Sequence, residues 1–229
     1  MVKLSVQTAF AENTFLKPSL LEYYETLPAY QSPHVSLVEG IKQRAREEMV
    51  PIISDDVFCF LSQLVLTKSP KRILEVGVGG CYSTLAMLEN FNGDDFISLE
   101  VSDQAIMKAM ELRDEYDVLK QAQFVFCNAL DYLAEAPKES FDLIFVDIQK
   151  KHYETILKYS EEWLSPRGLI VFDNLFFSGH VCGTAETDKG QERKSEIIRR
   201  FNENFLSCEF LTTAIYPIGD GLGFGVKRP

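Results

Sequence analysis

The sequence predicts an α/β fold built on a doubly wound, mostly parallel sheet, and three observations predict it. From residue 71 onward, strand-sized apolar runs alternate with helix-length stretches. The runs are apolar on both faces, as in Leu143-Ile144-Phe145-Val146 and Leu169-Ile170-Val171-Phe172. Strands covered by helices on both sides read that way. Near the C-terminus the alternation stops and two strand patterns follow each other across a turn signal. The 229 residues suit one large domain, 1–229, better than two small ones.

Residues 1–70 read as an N-terminal helical segment and 71–229 as the sheet-bearing core. Pro33 opens one helical pattern, with Val35, Val38, Ile41 and Ala45 on a 3–4 spacing. Ser54-Asp55-Asp56 opens a second, followed by Val57, Phe60, Leu61, Leu64 and Val65, and Ser69-Pro70 breaks it. Strands are expected over Arg72–Gly77, Asp95–Glu100, Gln123–Cys127, Asp142–Asp147 and Gly168–Asp173. Helices are expected over Ser102–Asp117, Lys150–Trp163 and Glu192–Phe205. Glu209–Tyr216 and Leu222–Lys227 flank Pro217-Ile218-Gly219-Asp220-Gly221 and read as a hairpin.

Composition narrows the function classes. A hydrophobic fraction of 46% excludes global disorder, and no apolar run reaches the length of a membrane span. The first residues, MVKLSVQTAF, lack an apolar signal region, so a cytoplasmic protein without membrane contact is expected. None of the five cysteines forms a CxxC pair, which argues against zinc, and their odd number without a signal region argues for reduced thiols. The net charge of −11 repels nucleic acid at long range and favours a small-molecule partner. A local basic patch can still act within a Debye length, and Arg193, Lys194, Arg199 and Arg200 cluster on one predicted helix. Such a cluster is more often a solvated face than an RNA contact.

Ligands in open α/β sheets bind beyond the C-terminal ends of the strands. The first strand ends in Glu75-Val76-Gly77-Val78-Gly79-Gly80-Cys81-Tyr82-Ser83, where glycines allow close backbone approach to a ligand. The second ends at Glu100, where a ribose-binding acid is expected. A dinucleotide site wants a third glycine where Tyr82 stands, so a dehydrogenase is disfavoured. Glu75 suits a ligand with a positive end and no phosphate, such as S-adenosylmethionine.

The fourth strand ends in Asp147-Ile148-Gln149-Lys150 and the fifth in Asp173-Asn174. Either aspartate alone reads as a helix cap. Together with Asn174 and Lys150 they read as a hard-oxygen set for Mg²⁺ foremost, or Ca²⁺ or Mn²⁺. His34, His152 and His180 read as surface or packing residues, and Tyr159 with Trp163 as core rather than an aromatic cage.

The motifs ILEVGVGGCYS, FDLIFVDIQKKHY, GLIVFDN and PIGDGL resemble the cation-dependent O-methyltransferases of the catechol and caffeoyl-CoA type, from about Val50 to the C-terminus. Within that group, Arg46-Glu47-Glu48-Met49-Val50-Pro51-Ile52 is similar to the bacterial tRNA wobble-hydroxyuridine methyltransferases. The resemblance implies a Rossmann-like, seven-stranded methyltransferase sheet. It implies cofactor contacts at Ile53, Glu75, Gly77, Ser83, Glu100, Ala129 and Asp147, metal ligands at Asp147, Asp173 and Asn174, and a general base at Lys150. Two positions depart from the family. Cys81 replaces the usual glycine, and Gln149 stands where a second acid is frequent.

The expected reaction is methyl transfer from S-adenosylmethionine to a hydroxyl beside a second oxygen, with a divalent cation making that hydroxyl more acidic. The acceptor is a catechol-like small molecule, or alternatively a tRNA hydroxyuridine. A cofactor-binding protein weakened in catalysis is the reading from another class, kept open by Cys81. A homodimer is expected.

Overall fold

The computed structural model describes residues 32–183 and 189–229, together with Tyr23. The helical expectation for 1–22 and 24–31 lies outside the described residues. Two helices come first, α1 (Val35–Glu48) and α2 (Asp55–Lys68). The core then runs β1 (Arg72–Val76), α3 (Tyr82–Leu88), β2 (Asp95–Glu100), α4 (Asp103–Glu115), β3 (Ala122–Phe126), α5 (Ala129–Glu135), β4 (Phe141–Val146), α6 (Tyr153–Trp163) and β5 (Leu164–Phe172). It closes with α7 (Lys189–Leu206), β6 (Leu211–Tyr216) and β7 (Leu222–Lys227).

The seven strands form one sheet in the order β3-β2-β1-β4-β5-β7-β6. The pairs among β1 to β5 are parallel, while β7 is antiparallel to both β5 and β6. The order reverses between β1 and β4, which opens a crevice at the C-terminal ends of these two strands. The hairpin predicted around Gly219-Asp220-Gly221 is the β6–β7 pair at one edge.

Alternation along each strand divides the core between the two faces. Ile73, Leu143, Phe145 and Val171 pack towards α1, α2 and α3. Leu74, Val76, Ile144, Val146 and Phe172 pack towards α6 and α7, where Tyr153, Phe201 and Phe205 meet Phe172 ring to ring. Trp163 is buried and Tyr159 stacks on it at 5.0 Å while remaining partly exposed.

Most boundaries differ from the sequence expectation by a few residues, and three of the differences have a local cause. The helix expected from Lys150 starts with a 3₁₀ turn, Lys150–His152, and becomes α-helical at Tyr153. The expected Gly168 start of β5 moves back to Leu164, which pairs with Phe141 across a register shift. Arg167 takes φ 62° at that irregularity. Helix α4 ends at Glu115 because the chain tightens into a 3₁₀ turn, Asp117–Gln121.

Candidate active site

A cleft of about 360 Å³ lies at the crevice between β1 and β4. Its floor is the loop after β1, its far side the end of β2, and its near wall the Pro51–Ile53 connection between α1 and α2. Of the sequence-predicted contacts, Ile53, Gly77, Ser83, Glu100 and Asp147 line it. Ala129 sits at the start of α5 and packs against the second core cluster outside that lining.

The loop is shaped by backbone angles. Gly77 has φ 98°, and a Cβ there would stand 2.2 Å from the Asp147 carbonyl oxygen. The two strand ends therefore meet chiefly through backbone, with Ile148 Cγ2 3.0 Å from that Cβ position. Gly79 has φ 51° and Cys81 φ 64°. The loop thus keeps a left-handed residue where the resembled family has glycine, and Cys81 adopts it despite its side chain. That conformation costs roughly 1–2 kcal/mol for a residue with a Cβ. The Cys81 side chain is fully buried in the first core cluster, which offsets part of this.

Glu75 lies behind the lining, fully buried, and accepts hydrogen bonds from Ser83 Oγ (2.6 Å), Thr84 Oγ1 (2.7 Å) and Ser98 Oγ (2.6 Å). Burial pushes its carboxyl up to about 7, against the three hydroxyl donors, which pull it down. Its contact with the cleft runs through Ser83, the one of these partners that lines it. Glu100 faces the cleft itself. Its Oε2 accepts from the amides of Val78 (3.1 Å) and Gly79 (3.2 Å), and its Oε1 from Val101 (2.8 Å) and Ser102 (2.9 Å). Four amides fill the lone-pair directions of one carboxylate, so Glu100 pins the glycine loop to β2. Any further donor to Glu100 must share or displace one of those amides.

Beside the cleft, the ends of β4 and β5 bring the other predicted residues together. Lys150 Nζ lies 3.2 Å from Asp147 Oδ1, 2.8 Å from Asn174 Oδ1 and 2.6 Å from Tyr153 Oη. The 3₁₀ turn produces the last contact, since residues i and i+3 eclipse in that geometry. Tyr153 Oη also reaches the carbonyls of Val146 (3.2 Å) and Asp173 (3.0 Å), tying both strand ends to α6. Asp173 is buried, and its Oδ1 accepts the Asn174 amide at 2.7 Å while Asn174 takes φ 57°. Neither Asp147 nor Asp173 is the N-cap of the helical turn that follows it, so the capping alternative fails for both.

Burial and the charges of Asp147 and Asp220 push the Asp173 carboxyl up, and Lys150 opposes this. Asp220, in the β6–β7 turn, is the acid that the sequence reading missed. In the sequence it stands as half of an Asp-Gly turn signal and inside the PIGDGL motif, neither of which gives it a role at the site. Among the described residues no three His, Cys, Asp or Glu side chains form a metal-holding group. The set is two carboxylates and an amide oxygen, with Asp147 Oδ1 and Asn174 Oδ1 both within reach of one ammonium. Hard oxygen donors in surplus over positive charge fit a divalent cation of the Mg²⁺ type. Gln149 lines the cleft without adding a charge. On α7, Arg193, Lys194 and Arg200 are exposed, while Arg199 bonds Glu192 and the Val181 carbonyl.

A parallel sheet that reverses at a glycine loop, with an antiparallel pair closing one edge and an acid at the end of β2, is the architecture of class I methyltransferases. Residues 29–228 match the O-methyltransferase family model, and the chain belongs to that family. It is 28% identical over 171 residues to caffeoyl-CoA O-methyltransferase of Stellaria longipes, covering 72% of this chain and 71% of that protein. It is 28% identical over 215 residues to tapetum-specific methyltransferase 1 of Arabidopsis thaliana, covering 89% and 91%. Among solved structures, the O-methyltransferase from Bacillus cereus in complex with SAH shares the fold at a TM-score of 0.73 and 24% identity, covering 86% and 92%. A putative O-methyltransferase from Klebsiella pneumoniae does so at 0.75 and 23%, covering 99% and 100%. No helix among the described residues is long and apolar enough to cross a membrane.

Proposed function

We propose that this chain moves a methyl group from S-adenosylmethionine to a hydroxyl that has a second oxygen beside it. The observation that carries the reading is the convergence of Asp147, Asn174 and Lys150 at the edge of a cleft that Asp147 also lines. The cleft suits the cofactor's chemistry, because its charged side chains are the carboxylates of Glu100 and Asp147 and its loop lacks a phosphate-binding third glycine. Glu100 would take the ribose hydroxyls. Ser83, held by Glu75, would orient the methionyl end together with Asp147.

Asp147, Asp173 and Asn174 would hold a divalent cation, which when bound would make an acceptor hydroxyl more acidic. In the transfer the acceptor oxygen attacks the methyl carbon in line, the carbon–sulfur bond breaks, and sulfur keeps the electron pair. The hydroxyl proton passes to Lys150 Nζ, the general base that this reading assigns. Tyr153 fixes where Nζ sits. A catechol meets this geometry, as does a hydroxyuridine with its adjacent carbonyl.

The test is incubation with methyl-labelled S-adenosylmethionine and two acceptor pools, catechols and undermodified tRNA, with and without EDTA. Label in catechols that disappears with EDTA supports the small-molecule reading. EDTA-sensitive label in tRNA alone moves the same chemistry to RNA. EDTA-insensitive transfer removes the cation.

A further inference from the structure

Helix α2 begins with two adjacent aspartates whose contacts diverge. Successive helix residues point about 100° apart, so Asp55 and Asp56 face different parts of the molecule. Asp55 is buried. Its Oδ1 accepts the Tyr82 hydroxyl at 2.8 Å and pairs with Lys42 Nζ of α1 at 2.5 Å. Lys42 also lies over the Tyr82 ring, 5.3 Å from its centroid, and Phe58 packs on that ring at 4.6 Å. Tyr82 lines the cofactor cleft and directly follows Cys81, so this triad locks α1, α2 and α3 together behind the near wall. The wall in turn presses on the glycine loop, since a Cβ at Gly80 would lie 2.8 Å from Ile52 Cγ2.

Asp56 turns to the hairpin. Its Oδ2 accepts the Gly219 amide at 2.8 Å, while Oδ1 accepts from Ser54 Oγ and the Val57 amide. Gly219 is pressed against the start of α2, where a Cβ would meet Val57 Cγ2 at 2.6 Å. The next residues of the same turn hold the chain after Asn174. The Leu175 amide donates to the Gly221 carbonyl, the Phe176 amide to the Asp220 carbonyl (both 2.8 Å), and the Ser178 amide to Asp220 Oδ1 at 2.6 Å. The β6–β7 turn is thus a strut between α2 and the segment that leaves the polar cluster.

We propose that Asp55 and Asp56 are positioning residues with divided tasks: Asp55 sets the cofactor loop through Tyr82, and Asp56 sets the acceptor-side segment 175–178 through Gly219 and Asp220. The assignment of 175–178 to the acceptor rests on the function proposed above. The structural part of the claim does not, because it concerns which segment each aspartate holds.

Two measurements on the full chain test this without an acceptor, namely calorimetry with S-adenosylmethionine and amide hydrogen exchange. Asp55→Ala and Tyr82→Phe should weaken cofactor binding by at least about fivefold, the scale of one lost hydrogen bond. Both should speed exchange over 77–83 and leave 175–178 as in the parent. Asp56→Ala should do the reverse, speeding exchange over 175–178 while cofactor affinity stays within about twofold of the parent. Asp56→Asn, which keeps an oxygen for the Gly219 amide, should restore the parent exchange at 175–178. A general loosening, with either aspartate variant speeding both segments alike, overturns the proposal, as does unchanged exchange in both. Catechol or tRNA turnover, measured separately on the parent, decides the functional reading, so the two ideas fail independently.

Discussion

Lys150 Nζ lies 2.8 Å from Asn174 Oδ1, across the gap between the ends of β4 and β5. The contact joins an ammonium to an amide oxygen from a neighbouring strand end, and Asp147 Oδ1 stands 3.2 Å from the same nitrogen. Lys150→Ala should therefore lower turnover by roughly 10²-fold or more, the range for a lost general base. Cofactor affinity should stay near the parent value, because Lys150 lies outside the cleft lining. The loss should shrink as pH rises and more acceptor ionises unaided. Steady-state kinetics from pH 7 to 10 beside calorimetry checks this, and full activity at pH 7 would remove Lys150 as the base.

Stripping divalent cations should abolish turnover but spare most of the cofactor affinity. The glycine loop and Glu100 contribute their contacts independently of the cluster. Asp173→Asn should mimic the stripped protein and should not be rescued by added Mg²⁺. Turnover of the parent before and after EDTA, with Mg²⁺ restored in a third arm, measures this.

Glu100→Ala would remove the proposed ribose partner and unpin Val78 and Gly79. Each lost charged hydrogen bond costs roughly 1.5–3 kcal/mol, so S-adenosylmethionine affinity should fall at least about tenfold. Calorimetry that finds the affinity intact would show that the cofactor ribose lies elsewhere.

Gly77→Ala should destabilise the protein and eliminate cofactor binding. The added Cβ would sit 2.2 Å from the Asp147 carbonyl oxygen at φ 98°. Backbone strain alone costs roughly 1–3 kcal/mol, and forcing the strand ends apart adds to it. Thermal unfolding with and without cofactor would reveal both effects. A variant that melts and binds like the parent would contradict this packing.

Glu75 gives the stability a pH dependence of definite sign. Its carboxyl is raised from 4.5 to about 7 in the fold by burial. The folded state therefore binds the proton more tightly than the unfolded chain. The resulting stabilisation is full below about pH 4.5 and is lost as pH climbs to about 7. The amount is roughly 3 kcal/mol for a shift of this size in a fully buried group. Glu75→Gln cannot titrate and should lack this slope. Urea unfolding of parent and variant at pH 5 and pH 8 compares them, and equal slopes would show that Glu75 is ionised throughout.

Much of this was legible in the sequence because it depends on local pattern. Doubly apolar runs such as Leu143–Val146 announced buried parallel strands, and polar residues at their ends marked the crevice. Asp147, Asp173, Asn174 and Lys150 could be grouped because β4 and β5 are neighbours. The depth of Glu75 was hidden, although Ser98 inside an otherwise apolar strand was a trace of its partner. The link from Asp56 to Gly219 spans 163 positions and leaves no periodic signal. Cys81 could be flagged as unusual, but whether its neighbours or the residue itself would take the left-handed angle depended on the packing around its side chain.

The cleft has two unlike sides. On one, Gly77 meets the Asp147 carbonyl through main chain alone, so no substitution can trim that contact. On the other, the Ile52 side chain meets Gly80, and side chains can be shortened. Freedom to accommodate cofactor analogues of altered bulk, whether by drift or by design, is therefore lopsided. It lies with residues 51–53, outside the sheet, while the seam between β1 and β4 sets a fixed limit.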